Sequence, residues 1–200
     1  MIRLLHKVPS SISFACSGGP DSMAALDFLC NSKRNVQVCH FNHGTEFSRS
    51  FEDTVREFCV YRNLELHIGN ISRDKHKRES LEEYWRNERL DFFFSFSKPV
   101  VTAHNLDDVC EWWIFTSLHG NPRLIPARNK NILRPFLLTK KSDLQKYCNS
   151  RNLKFETDPS NSEDRYMRSF IRNNMMDDCL KVNPGLYKVM SKKLISETSG

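Results

Sequence analysis

A chain of 200 residues is long enough for one ordinary domain, or one domain with a small appendage, and can bury a core without disulfide staples. An apolar share of 39% and a charged share of 27% spread along the chain exclude wholesale disorder. No apolar run approaches the roughly 20 residues that span a bilayer, and the start, Met1-Ile2-Arg3-Leu4-Leu5-His6-Lys7, lacks the long apolar run of a signal peptide, so a cytoplasmic protein with no membrane contact is expected.

Seven cysteines are an odd count, Cys16, Cys39, Cys59 and Cys110 sit in apolar runs, and no Cys-x-x-Cys pair occurs. They read as reduced, buried thiols, not as disulfides, zinc ligands or cluster ligands. The net charge of +6 is uneven, because residues 165–200 carry seven bases against three acids and supply +4 of it. Such a segment suits a nucleic-acid partner by counterion release, or equally a solvated helical surface.

The elements alternate. An apolar strand is expected over 12–16, and a helix over 21–31 whose Met23, Leu26, Leu29 and Cys30 repeat at helical spacing. A strand over 36–41, a helix over 51–61 and a strand over 64–68 ended by Gly69 follow. Next come a long helix over about 80–96, a strand over 99–103 and a helix over 106–118 ending near Gly120. Serial strand–helix–strand units give an α/β fold with a parallel sheet, right-handed crossovers and flanking helices. Residues 121–135, with Pro122, Pro126 and Pro135, read as a loop or short irregular crossover. Thr139 can cap a helix over 140–151, residues 158–161 form a turn, and basic helices cover about 165–176 and 184–195. The expected division is a main domain over 1–160 and a short basic helical extension over 161–200.

Ser17-Gly18-Gly19-Pro20-Asp21-Ser22 falls between the first strand and the first helix, where open parallel sheets bind ligands. Adjacent glycines let a backbone approach an anion, and a helix amino terminus adds positive potential. Ser17 and Ser22 bring hydroxyl donors, and Asp21 brings an oxygen suited to Mg2+. The run has neither the Gly-Lys-Ser/Thr of a Walker loop nor a GxGxxG pattern. His40-Phe41-Asn42-His43-Gly44 ends the second strand; two histidines three apart suggest a metal pair or, on the better reading, nucleotide contact. Ala103 to Glu111 places His104, Asp107, Asp108 and Glu111 within about a turn and a half. Asp107 and Asp108 also suit a helix dipole.

The loop SGGPDS resembles the signature of the PP-loop ATP pyrophosphatases, which cleave ATP to AMP and pyrophosphate while adenylating a substrate oxygen. With HFNHG, the run from Ser80 to Arg89, AHNLDDVCE, Arg134-Pro135, and DPSN at 158–161 followed by Arg168 and Arg172, the chain resembles the tRNA(Ile)-lysidine synthetase family in order from Ser17 to Arg172. The resemblance implies an adenine nucleotide alpha hydrolase-like, Rossmann-like fold and the cofactors ATP and Mg2+. It further implies partners of an isoleucine tRNA and free lysine, and a short form lacking most of the C-terminal tRNA-binding domains, with room for a homodimer. ATP contact falls to Ser17, Gly18, Gly19, Pro20, Asp21, Ser22 and His43, with Asp21 on the metal. Lysine contact falls to Asp107, Asp108 and Glu111, and catalysis to Asp21, His104, Asp108, Glu111, Arg86, Arg89 and Arg172. Contact with tRNA falls to Arg123, Arg128, Arg134, Arg165, Arg168 and Arg172. The chain departs from the pattern at Asn105, where the family often has a second histidine, at Thr45-Glu46, and at His119-Gly120-Asn121. Two alternatives stand beside this reading: a thiolating relative using Cys110 or Cys148, and a noncatalytic tRNA-binding protein.

Overall fold

A computed structural model describes residues 1–157 and 167–198. Its strands are β1 (Ser11–Ala15), β2 (Asn35–Asn42), β3 (Leu66–Asn70), β4 (Val100–Val101), β5 (Arg128–Asn129) and β6 (Ile132–Leu133). Helices α1 (Pro20–Cys30), α2 (Ser48–Arg62), α3 (Leu81–Phe94), α4 (Leu106–Leu118) and α5 (Lys141–Ser150) flank the sheet. After the undescribed stretch come α6 (Met167–Phe170), a π turn over Ile171–Met175, α7 (Met176–Val182) and α8 (Leu186–Thr198). The strands lie in the order β3-β2-β1-β4-β6-β5, all parallel except β5.

β1 is central and buried on both faces: Ile12, Ser13 and Phe14 have no exposed surface, as a covered parallel sheet demands. The buried hydroxyl of Ser13 accepts from Gln37 Nε2 at 2.8 Å, so no polar atom is stranded there. On one face α1 carries Met23, Ala24, Ala25, Leu26 and Leu29 into a core with Phe14, Phe136 and Leu144. Truncating Phe14 or Phe136 to alanine would cost about 3–5 kcal/mol. On the other face, Phe93 of α3 meets Cys39, Val100 and Ile132. Gly69 admits the Phe92 ring, whose Cγ would lie 2.6 Å from any Cβ added there. A third cluster joins Val109, Cys110 and Ile114 of α4 to Ile171, Met190 and Leu194, so the basic C-terminal helices are packed onto α4.

Most expected elements are present with ends displaced by a few residues, where helices fray and local signals are weakest. Residues 121–135 are the main correction. They contain the β5–β6 hairpin and a 3-10 turn over Pro135–Leu138, and β6 extends the parallel sheet beside β4. Two-residue strands are too short to show a period, and their pairing is supplied by β4. Thr139 does not cap α5. Lys140 occupies that position without a side-chain cap, while the buried Thr139 hydroxyl donates to Arg3 O at 2.7 Å and accepts from Arg3 N at 3.0 Å. The expected helix over 165–176 is interrupted by the π turn, and the DPSN turn and Arg165 lie outside the described residues. The cysteines are free, with Cys16, Cys39, Cys59, Cys110 and Cys148 buried. No helix among the described residues is long and apolar enough to cross a membrane.

Candidate active site at the β1–β4 crevice

Strand order reverses between β1 and β4, so the segments leaving their carboxyl ends open a crevice. From β1, the chain enters the loop 17–22 through Gly18, whose φ is +87° and whose added Cβ would lie 2.8 Å from Phe51 O. Gly19 is the α1 N-cap with extended backbone and no side-chain cap, and Pro20 occupies the first turn. The first-turn amides at Asp21 and Ser22 consequently have no carbonyl one turn earlier in the helix and suit an anion. Ser22 is turned inward: its hydroxyl donates to Gly19 O at 2.9 Å and accepts from Ser17 N at 3.2 Å, with Ser17 Oγ 3.0 Å away. Its work is to brace the loop, leaving the exposed Ser17 at the rim. His40 secures the end of β1 by donating from Nδ1 to Cys16 O at 2.9 Å.

From β4, Asn105 starts α4 in a capping box. Its Oδ1 accepts from Asp107 N at 2.9 Å and Asp108 N at 3.1 Å, while Asp108 Oδ2 accepts from Asn105 N at 2.9 Å. The same amide donates from Nδ2 to Asp21 Oδ2 at 3.1 Å, tying the two loops together. In the sequence Asn105 stands out only as a departure from the family pattern; an asparagine just before a helix is the signal for its capping role.

Asp21 Oδ1 is buried without a hydrogen-bond partner among the described residues. Burial pushes the Asp21 carboxyl up to about 6, opposed by Lys141 and reinforced by Asp108 and Asp107. An orphaned carboxylate oxygen at the head of a phosphate-type loop fits a hard divalent cation that takes one or two protein carboxylates and fills its remaining positions with water and phosphate.

One turn into α4, Glu111 is 2% exposed and receives both forked donors of Arg172, Nε and Nη2, each at 2.7 Å. Arg168 lies 3.7 Å from Glu111 and from Asp108, and Arg172 lies 3.8 Å from Asp108. Burial raises the Glu111 carboxyl and Arg172 opposes it. Asp107 is engaged differently: Oδ1 accepts from Tyr187 at 2.7 Å and Oδ2 from Lys141 N at 2.7 Å, joining α4 to α8 and α5.

A cationic wall lies beside this acid pair. Burial, followed by Arg86 and Arg89, lowers the half-buried-to-buried Arg134 guanidinium to about 10, and burial with Arg86 and Arg168 lowers Arg89. Arg134 is anchored through Nη1 to Pro126 O at 2.9 Å, and its Nε is buried without a partner among the described residues. His104, 2.8 Å from Thr102 Oγ1 through Nδ1, is held below the ordinary histidine range by burial, with Asp108 opposing and Arg134, Arg89 and Arg168 adding to the fall. His43 packs against Phe41 and Trp85 at ring separations of 5.0 and 5.7 Å, and burial lowers it to about 4. Thus Asp21, Asp108, Glu111, Arg168 and Arg172 form one group, and Arg86, Arg89, Arg134, His43 and His104 form its basic neighbourhood. Arg123 and Arg128 are exposed and form no ion pair with either group among the described residues.

The PP-loop domain family model matches residues 3–179. The chain is 36% identical over 183 residues to the tRNA(Ile)-lysidine synthase of Malacoplasma penetrans, covering 82% of this chain and 60% of that one. It is 31% identical over 205 residues to the synthase of Mesoplasma florum, covering 94% of this chain and 52% of that one. The chain therefore spans between about half and three fifths of the length of these relatives. The NH3-dependent NAD synthetase from Campylobacter jejuni shares the fold at a TM-score of 0.51 and 18% identity, covering 96% of this chain and 86% of that one. With a glycine loop at the head of α1, a crevice where strand order reverses, and a family match running almost end to end, the chain belongs to the PP-loop domain family.

Proposed function

We propose that the chain carries the active site of a tRNA(Ile)-lysidine synthase, an ATP-dependent ligase. The observation that carries this reading is the joining of an anion loop to a buried acid–arginine group through Asn105. In the first step the 2-oxygen of the wobble cytidine attacks the α-phosphate of ATP; the new O–P bond forms as pyrophosphate leaves. In the second, the neutral ε-amine of lysine forms a bond to C2, the C2–O bond breaks, AMP departs with the oxygen, and the attacking nitrogen gives up one proton, which neutral His104 can accept.

The loop 17–22 presents first-turn amides to phosphate, and Arg86, Arg89 and Arg134 bring positive charge to it, with Arg134 held in place by Pro126 O. Mg2+, held by Asp21, supplies charge neutralisation when bound. Asp108 and Glu111 orient the amino acid's ammonium groups, while Arg172 and Arg168 suit its carboxylate. Asp107 adds negative potential and fixes α8 behind the site. His104, kept neutral, accepts a proton or donates a hydrogen bond without bringing a charge. Residues 1–160 hold the nucleotide in this reading, and 161–200 form the basic extension whose Arg168 and Arg172 reach back into the crevice. Arg123, Arg128 and the undescribed Arg165 offer phosphate contacts for tRNA.

Thiolation is disfavoured because burial pushes the thiols of Cys110 and Cys148 up to about 12 and about 11, away from nucleophilic thiolate. The test is transfer of radiolabelled lysine to bulk tRNA with ATP and Mg2+. Label absent with Asp21→Ala and mapped to a wobble cytidine supports the proposal; AMP release without lysine transfer overturns it.

A further inference from the structure

One face of α4 carries an aromatic run that the chemistry above does not use. Arg168 lies 5.9 Å over the Trp112 ring, Trp112 stacks with Phe115 at 5.7 Å and 27°, and Phe115 meets His119 at 4.3 Å and 38°. The spacing of three and four residues puts the three rings on one side of the helix. The series begins at a guanidinium 3.7 Å from Asp108 and Glu111 and runs outward to an exposed imidazole at the helix end.

Core packing accounts for the inner edges of Trp112 and Phe115, which rest on the α4–α8 cluster. It does not account for His119. This ring is exposed, yet Nδ1 donates to Phe115 O at 2.7 Å, which fixes the orientation of the ring and holds it over its neighbour. Next to it, Asn121 N donates to Thr116 O at 3.0 Å and Arg123 N to Thr116 Oγ1 at 3.0 Å, so the turn bearing exposed Arg123 is tied back onto the same helix end.

A series of rings stacked on one another between cationic groups and ending in an exposed ring matches single-stranded RNA: the outer ring continues the stack with an unpaired base, and guanidinium groups take the phosphates beside it. We infer that Trp112, Phe115 and His119 form a stacking track that leads from the acid–arginine group out along α4, its exposed His119 end taking an unpaired RNA base near the reacting base. This rests on the proposed RNA substrate and adds to it a direction of strand entry and three residues outside the catalytic group.

The test uses the full chain, a dye-labelled single-stranded RNA of cytidines and a blunt RNA duplex of the same total charge, without ATP or lysine. His119→Ala and Phe115→Leu should each weaken single-strand binding about tenfold while changing duplex binding less than twofold. His119→Phe, which keeps a ring, should restore it. Thermal unfolding of His119→Ala, altered only at an exposed position, guards against misfolding. Single-strand affinity unchanged in both variants overturns the track, as does equal loss for strand and duplex. Because neither ATP nor lysine enters the assay, an intact track with no lysine transfer would reject the lysidine reading alone.

Discussion

Arg172 closes its guanidinium fork on Glu111, which the fold leaves only 2% exposed. The pair joins the π turn after α6 to the middle of α4. Arg172→Met should destabilise the protein by about 3 kcal/mol, because a buried carboxylate loses its bidentate partner and, among the described residues, keeps the more distant Arg168. Glu111→Leu combined with Arg172→Met should recover most of that loss, since an apolar pair carries no desolvation cost. Urea unfolding measures both. Lysine transfer should stay abolished in the double variant, which separates the pair's chemistry from its structural part.

Asp21 gives a pH dependence of definite sign. Burial raises its carboxyl in the fold to about 6 against an ordinary 3.8, so the folded state binds the proton more tightly than the unfolded chain. Its contribution to stability is full below the unfolded value and is lost as pH rises through about 6. Asp21→Asn keeps the oxygen that faces Asn105 and removes the charge. Thermal unfolding across pH 4 to 8 should find the variant more stable than the parent at the alkaline end, with the gap closing towards pH 4. The same variant should lose ATP–pyrophosphate exchange.

The histidines act in the opposite direction. His43 falls to about 4 through burial, then Arg89 and His40, and His104 is lowered chiefly by burial. The unfolded chain takes up protons first, so their contribution is present above about 6.5 and is lost as pH falls through the folded values. In NMR titrations the His43 ring should keep its neutral shifts from pH 8 down to about 5. The His104 ring should titrate below the ordinary histidine range.

Gly18 and Gly19 should respond differently to alanine. At Gly18 a φ of +87° and a Cβ 2.8 Å from Phe51 O together predict a loss of about 2 kcal/mol or more, visible as a lowered melting temperature. At Gly19 the nearest atom to the new Cβ is Ser17 Oγ at 3.6 Å, so the protein should fold normally. The methyl group would then project at the anion loop and weaken nucleotide binding about tenfold, a loss of roughly 1.4 kcal/mol read by ATP titration.

Cys110→Ala and Cys148→Ala should retain lysine transfer within about threefold, because both thiols are buried and disfavour ionisation. Loss of transfer in either, with folding intact, would revive a sulfur-based reaction.

The first four strands and the helices between them were legible because each combines an apolar run with a polar or glycine boundary, as at Leu26 and Leu29 before Asn31. β5 and β6 were not, since they fall in a polar, proline-punctuated stretch and Ile132 becomes a strand through its pairing with Val100. The loop 17–22 and the acids of α4 could be located from residue type and spacing. What could not be read was division of labour within them: Asp107 and Asp108 are adjacent, yet one bonds Tyr187 and Lys141 while the other faces Arg168 and Arg172. Helical rotation separates neighbours by about 100°, and only the packing of α5 and α8 decides which partner each finds. Ser22 looked like a phosphate donor by its type, but the turn of the loop commits its hydroxyl to Gly19 O.

β1 and β4 are neighbours in the sheet, with Phe14 opposite Val101. The spacing of paired strands is among the least adjustable lengths in a protein, about 4.8 Å. The segments that follow these strands therefore start from a fixed gauge, and the Asn105 amide spans it at the top. Sliding a helix or exchanging a loop downstream changes what approaches the crevice without changing the gap between anion loop and acid pair. A PP-loop chain can thus diversify in its substrate while the separation of its two working ends is set by a backbone hydrogen bond.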